Sequence, residues 1–300
     1  MADSTASLRR KIGSAGDLRS VVRAMKAQAA ASVGQYERSV AALADYARAV
    51  ELGLALCFRQ SAPMQVEAPK RDGPKGKRIR AIVFGSDQGL VGRFNDIVLD
   101  KARQSLAAFQ GPPQIWAVGE RLRAAVADTP LPLLGVFPVP GSVQSIASLV
   151  GTLLVTVVGE TEALEEPGSG TELHLFYNRP TSGSAYVPFG QRLLPLDETW
   201  RRGLAQQVRP TGMLAEVMGR KPSTLRALIR EYLFVSIFRA CADSLASENS
   251  SRLAAMERAD RNIDKMLVSL HDSFHRLRQN TIDEELSDVI SGFKALHADG

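Results

Sequence analysis

The chain has 300 residues, a formal net charge of +5 and a pI near 9.4, with 45% hydrophobic and only 6% aromatic residues. That length suits one large or two smaller domains with a sizeable core. The scattered placement of lysine and arginine argues against a nucleic-acid partner. Two cysteines, Cys57 and Cys241, each lie in an apolar helical stretch and read as buried free thiols of a reducing compartment. No basic start with an apolar core marks a signal peptide. The uncharged run 142–159 is broken by Ser, Gln, Gly and Thr and does not read as a membrane span.

Residues 1–58 carry apolar residues at a step of seven: Val22, Ala29, Tyr36, Leu43, Val50 and Cys57. A second row runs through Val33, Val40, Ala47 and Leu54. Such a heptad seam predicts a coiled-coil helix. Gly13, Gly16, Gly34 and Gly53 weaken it, and Ser14 or Asp17 could cap its start, so the first dozen residues are expected to form a separate turn. Residues 59–78, rich in Pro, Gly and Lys, read as a solvated linker.

Residues 79–210 alternate strand and helix signals. Strands are expected over 79–85, 114–119 and twice within 172–196. Helices are expected over 93–109, 120–128 and 142–158. This order implies a small, Rossmann-like α/β layer structure. The turn "GSDQGLVGR" (85–93) stands between a strand and a helix, where phosphate-binding loops occur. Its glycines at 85, 89 and 92 do not make GxGxxG and no Gly-Lys-Ser/Thr follows, so it reads as a tight turn.

The last region, 211–300, contains neither Gly nor Pro from Ser223 to Ser291, which predicts a helix on the order of 100 Å long. Met256, Ile263, Leu270 and Leu277 keep the step of seven; the row then resumes out of phase at Ile282, Val289 and Leu296. The first helix ends, and the last begins, at the α/β domain, so the two should pair antiparallel. The longer one then leaves an unpaired tip carrying Ile282, Leu286, Val289, Ile290 and Phe293 among the acids Asp283, Glu284, Glu285 and Asp288. An exposed apolar stripe of this kind marks a partner surface. His271 and His275 share a helix face but supply only two of about four metal ligands, and they read as exposed flanks; His174 and His297 have no evident partner. No GxSxG elbow or cysteine–histidine pairing is visible, so nothing resembles a self-contained enzyme.

The order of coiled-coil helix, α/β domain and longer coiled-coil helix resembles the gamma subunit of the F-type ATP synthase over nearly the whole length. "SDQGLVGRFN" (86–95) is similar to that family's Ser/Thr-Asp-Arg-Gly-Leu-Cys-Gly-x-x-Asn loop, with Gln88 and Val91 departing. "LFYNRP…QRLLPL" (175–196), "SENSSRLAAMERADRNIDKM" (247–266) and "IDEELSDVISGF" (282–293) resemble three further segments, the last being the C-terminal signature with Asp283, Asp288 and Phe293 departing. The N-terminus keeps Ala24 and Met25 of the family pattern but loses its final lysine, which suggests a divergent lineage.

The resemblance implies a rotor shaft without a cofactor or catalytic residues of its own. It implies three alpha and three beta subunits around the tip, an epsilon subunit and a membrane c-ring at the foot, and a peripheral position on the cytoplasmic face of a bacterial inner membrane. By motif position, Arg252 and Gln279 match residues that hydrogen-bond a beta-subunit loop. Met25 matches a position facing that loop, Asp283 replaces a threonine of the contact, and Glu285 matches the signature glutamate. Ser86, Asp87, Gly89, Leu90, Gly92 and Asn95 form the matching foot loop. A coiled-coil scaffold presenting an α/β domain, or a dinucleotide enzyme, would share the fold.

Overall fold

A computed structural model describes residues 4–60, 78–109, 111–159, 171–181, 185–206 and 221–298, with side chains except those of Gln60 and of 292–298. The proposed linker therefore lies, from 61 to 77, outside the described residues. The chain divides into two units: Met1–Ala29 with Leu253–Gly300, and Ala30–Arg252.

In chain order the elements are α1 (Thr5–Gln60), β1 (Arg78–Phe84), α2 (Phe94–Leu106), β2 (Gln114–Val118), α3 (Glu120–Ala127), β3 (Leu133–Phe137) and α4 (Val143–Leu153) with a π-helical turn (Leu154–Val158). They continue with β4 (Thr171–Pro180), β5 (Tyr186–Leu194), α5 (Glu198–Gln206) and α6 (Lys221–Ala298). The first dozen residues are not a separate turn. Ser4 caps the helix there, its Oγ accepting the Ser7 N–H at 3.2 Å, and α1 runs unbroken through all four glycines. Each interior glycine costs about 1 kcal/mol against alanine, a penalty that packing of the seam outweighs.

In the larger unit the five strands lie in the order β3-β2-β1-β4-β5. All neighbours are parallel except β4 and β5, which are antiparallel. Successive side chains of a strand point to opposite faces, and both faces are covered. On one, Ile79, Ala81, Val83, Ile115, Ala117 and Phe176 meet α2 and α3 through Val98, Leu99, Ala102, Leu122 and Val126. On the other, Ile82, Phe84, Trp116, Leu173, Leu175 and Tyr177 meet α4, the second half of α1 and the first part of α6. Tyr36, Val50 and Leu54 of the predicted seam belong to this core. These parts of both long helices thus share the core of the α/β unit.

From Ala240 to Glu248 every residue of α6 is buried. Its small side chains, Ala240, Cys241, Ala242, Ser244, Ala246 and Ser247, let other elements approach it from all sides. The π-helical turn is held by Arg80, whose Nη1 donates to the Val157 carbonyl at 2.6 Å and the Val158 carbonyl at 3.3 Å, satisfying acceptors that a helix end leaves open.

In the smaller unit the two helices run antiparallel. As numbers rise along α1 their partners fall along α6: Arg9 lies over the Phe274 ring, Arg19 pairs with Asp264 at 2.6 Å, and Lys26 with Glu257 at 3.7 Å. The seam here is Val22 against Met256 and Ile263, flanked by Met25, Ala259 and Leu267.

Candidate functional site

Two features invite a functional reading, one in each unit. The first is the end of α6. Leu277 is the last partly buried side chain, and every described side chain from Arg278 to Ser291 is exposed. The phase break in the heptad row falls at this point: where the partner helix stops, the seam stops. Ile282, Leu286, Val289 and Ile290 are between 47% and 69% exposed, and they recur at the three-to-four spacing of one helix face. Residues 278–298 extend on the order of 30 Å at helical rise. Gln279, Asp283 and Glu285 are exposed on this stretch, while the Phe293 side chain lies outside the described residues. The acids Asp283, Glu284, Glu285 and Asp288 are exposed there too. Among the described residues no side chain covers the tip.

The second feature is the loop between β1 and α2. Ser86 is fully buried, and its N–H donates to Asn95 Oδ1 at 2.9 Å. Asn95 Nδ2 donates back to Ser86 Oγ at 2.9 Å, and that hydroxyl donates to the Gln88 carbonyl at 3.0 Å. Asp87 uses both oxygens, one accepting the Glu120 N–H at the start of α3 and the other the Val139 N–H after β3, each at 2.9 Å. Gly119 allows this closure: it has φ +117°, and a Cβ there would stand 2.7 Å from the Ser86 carbonyl oxygen. Gly85 is equally confined, because a Cβ would meet the Leu122 Cβ at 2.5 Å. By contrast Gly89 is less crowded, an added Cβ there reaching only the Arg121 guanidinium at 3.5 Å. Gly92 turns the chain at φ +59°, and Leu90 adopts φ +64° with 60% of its surface exposed.

In doubly wound sheets ligands bind beyond the carboxyl ends of the strands, where the strand order reverses. That point here lies between β1 and β4. α6 stands across it: Ser247 Oγ donates to the Asn178 carbonyl of β4 at 3.0 Å, and Ser251 Oγ to the Val91 carbonyl at 2.7 Å. A phosphate or dinucleotide would have to displace the chain's own helix, and the loop's Ser86 N–H is already committed to Asn95.

The remaining sequence candidates are distributed as follows. Arg252 does not offer a free guanidinium. It is 12% exposed at its side chain, Nη2 donates to Glu248 Oε1 at 2.6 Å, and Nη1 reaches Asn249 Oδ1 at 3.3 Å. Burial pushes the Glu248 carboxyl above its usual range although the Arg252 guanidinium opposes the shift. Glu248 Oε2 and Arg252 Nε are buried without a hydrogen-bond partner among the described residues. The glutamate four residues earlier was the signal sequence reasoning missed, since such pairs meet on a helix surface.

Met25 is partly buried in the smaller unit's seam. His271 and His275 are exposed. His174, expected to lack a partner, meets Glu172 at 3.2 Å on the sheet, with Phe109 edge-on to its ring. Cys57 and Cys241 are buried, and burial pushes both thiols up. Among the described residues no helix is long and apolar enough to cross a membrane.

A family model described as ATP synthase matches residues 4–296. The chain belongs to the ATP synthase gamma-chain family. The ATP synthase gamma chain of Desulfitobacterium hafniense is 26% identical, covering 96% of this chain and 98% of its own length. That of Moorella thermoacetica is 28% identical over the same shares of each chain. The fold is also similar to a chain of the Euglena gracilis mitochondrial ATP synthase, OSCP/F1/c-ring, at TM-score 0.59 and 16% identity, covering 98% of this chain and 95% of that one. A chain of the Tetrahymena thermophila mitochondrial ATP synthase central stalk and c-ring gives TM-score 0.54 and 22% identity over 80% of this chain and 99% of that one.

Proposed function

We propose that this chain is the rotating central stalk of an ATP synthase. Its α6 tip turns inside a ring of three alpha and three beta subunits, and its α/β domain stands on the membrane c-ring beside an epsilon subunit. It couples ion flow through that ring to ATP synthesis or hydrolysis, while the bond chemistry belongs to the beta subunits. The whole is peripheral on the cytoplasmic face of a bacterial inner membrane. The observation that carries this reading is the bare tip: four large apolar side chains exposed on a helix that has no partner helix there among the described residues. Such a surface marks a contact with another protein.

Gln279, Asp283 and Glu285, exposed on the tip, are proposed as beta-subunit contacts, and Ile282, Leu286, Val289, Ile290 and Phe293 as the apolar bearing surface. Met25 and Arg252 are proposed contacts by their place in the family motifs. Arg252 acts there as part of the Glu248 pair rather than as a lone cation. The foot-loop residues Ser86, Asp87, Gly89, Leu90, Gly92 and Asn95 serve the architecture of the α/β domain.

Co-expression with ATP synthase alpha and beta subunits tests the reading. The full chain should co-purify with both, in a complex that hydrolyses ATP. A chain ending at Leu277 should fold but yield a weaker or inactive complex. A full chain that leaves alpha and beta behind would instead favour a coiled-coil scaffold.

A further inference from the structure

The 86–95 loop has a second set of partners, Ser251 on α6 and Asn178 on β4, and Asn178 is itself tied to α6. Left-handed residues stand on both sides of Val91, Leu90 at φ +64° and Gly92 at φ +59°. They turn the Val91 carbonyl to α6, where Ser251 Oγ takes it at 2.7 Å. One helical turn earlier, Ser247 Oγ donates to the Asn178 carbonyl at 3.0 Å. Asn178 is fully buried, and its Nδ2 donates to the Phe94 carbonyl at 2.9 Å. Two hydroxyls on one face of α6 are thus tied to the two ends of the segment 91–94, one directly and one through β4.

The loop is itself immobilised on the sheet. Asp87 holds it to α3 and to the segment after β3, and the Ser86–Asn95 bonds hold it to α2. Apolar packing around α6 resists its removal from the core, but packing of small side chains such as Ala240, Ala242 and Ala246 has little directionality. The large side chains of α6 in the same core, Leu233, Ile237 and Leu245, leave room only for small adjustments of roll and slide. Hydrogen bonds are directional and fail within a few tenths of an ångström of slide. Two of them, one helical turn apart, fix both the roll and the axial position of a rigid helix.

We propose that the 86–95 loop is a clutch: through Ser251 and Ser247 it locks the rotational and axial setting of α6 to the sheet, so that twist applied to the α/β domain enters the helix without slip. Ser247 and Ser251 are positioning residues. The locking is a property of this chain alone; its use in transmitting torque rests on the central-stalk reading above.

Two readouts separate these claims. In the isolated full chain, spin labels at Gln104→Cys on α2 and Arg230→Cys on α6 report the setting of the helix within the larger unit, since both sites are exposed and the native thiols are buried. Each lost hydroxyl bond should raise the population of the unpinned arrangement about fivefold. The Ser247→Ala/Ser251→Ala double variant is therefore expected to broaden the label distance distribution, with Ser251→Ala alone broadening it less. Ser251→Thr, which keeps the hydroxyl, should restore the wild-type width.

A width unchanged in the folded double variant would overturn the clutch, and so would failure of Ser251→Thr to rescue Ser251→Ala. In the complex with alpha and beta, the same double variant should widen the angular fluctuation of a bead on the foot at a stalled catalytic dwell, while the rate of ATP hydrolysis under no load stays at the wild-type value. Broadening of the label distances together with a wild-type chain that never rotates would sustain the clutch and remove the central-stalk reading. Wild-type rotation with an unchanged fluctuation width would remove torque transmission through these hydroxyls.

Discussion

At the scale of single residues, the pair Glu248–Arg252 carries the largest electrostatic consequence. Its side chains are 6% and 12% exposed and meet at 2.6 Å. Burial still dominates at Glu248, raising its pKa from the ordinary 4.5. A carboxyl raised in the fold favours the protonated state, so it costs stability as pH rises from its unfolded value through its folded one. Removing the guanidinium leaves that burial unopposed and drives the folded value higher still. Arg252→Ala should therefore destabilise by roughly 3–5 kcal/mol at pH 8, where breaking a buried pair strands a charge. At pH 4, where Glu248 is protonated in both states, the loss should be clearly smaller. Urea midpoints at the two pH values check this, and an equal loss at both would contradict it.

Gly119 provides a second test at this scale. At φ +117°, with the Ser86 backbone within 2.7 Å of an added Cβ, Gly119→Ala should cost about 3 kcal/mol or more in thermal or chemical unfolding. A loss under about 1 kcal/mol would mean the strand-to-helix closure is looser than described.

At the scale of elements, four ion pairs between the smaller unit's helices share one polarity: Arg19, Arg23 and Lys26 on α1 face Asp260, Asp264 and Glu257 on α6. The arrangement disfavours a shifted register more than it adds stability, because exposed pairs contribute about 0–1 kcal/mol each. Arg19→Ala should lower stability by less than about 1 kcal/mol, and the difference should shrink in 1 M salt, where the Debye length falls to about 3 Å. A larger, salt-insensitive loss would show that Arg19 acts through packing.

What the sequence disclosed about these elements follows from pattern length. The seven-residue rows of α1 and α6 repeat often enough to be read without a structure, and the phase break after Leu277 marked the end of pairing. β3 was not anticipated: Leu133–Phe137 is five residues, lies just after Pro130 and Pro132, holds Gly135 and is only half-buried. α5 is nine residues with Gly203 inside it, too short for a helical period to stand out. The α1 start was placed too late because glycine penalties were weighed without the seam that overrides them. Arg252 was matched to a beta-subunit contact by motif position alone, which does not show the Glu248 neighbour that it bonds on its own helix. The loop's role needed partners far along the chain, Glu120, Val139 and Ser251, which no local motif reveals.

At the scale of the whole molecule, each unit has its own core, and the long helices contribute to both. Truncation after Leu277 removes only exposed side chains among those described, so the melting temperature should change by no more than an exposed substitution would change it, within about 0.5 kcal/mol. A large loss would make the tip part of the chain's own core.

The central claim is that this chain turns within a ring of other subunits. The most direct measurement fixes the alpha–beta ring of the reconstituted complex to a surface and attaches a bead to the foot through Gln104→Cys, an exposed site in a chain whose two native thiols are buried. With ATP present, the account predicts rotation in one direction with three dwells per turn, and loss of sustained rotation when the chain ends at Leu277. A bead that stays fixed, or only jitters about one angle while the complex hydrolyses ATP at its full rate, would contradict it.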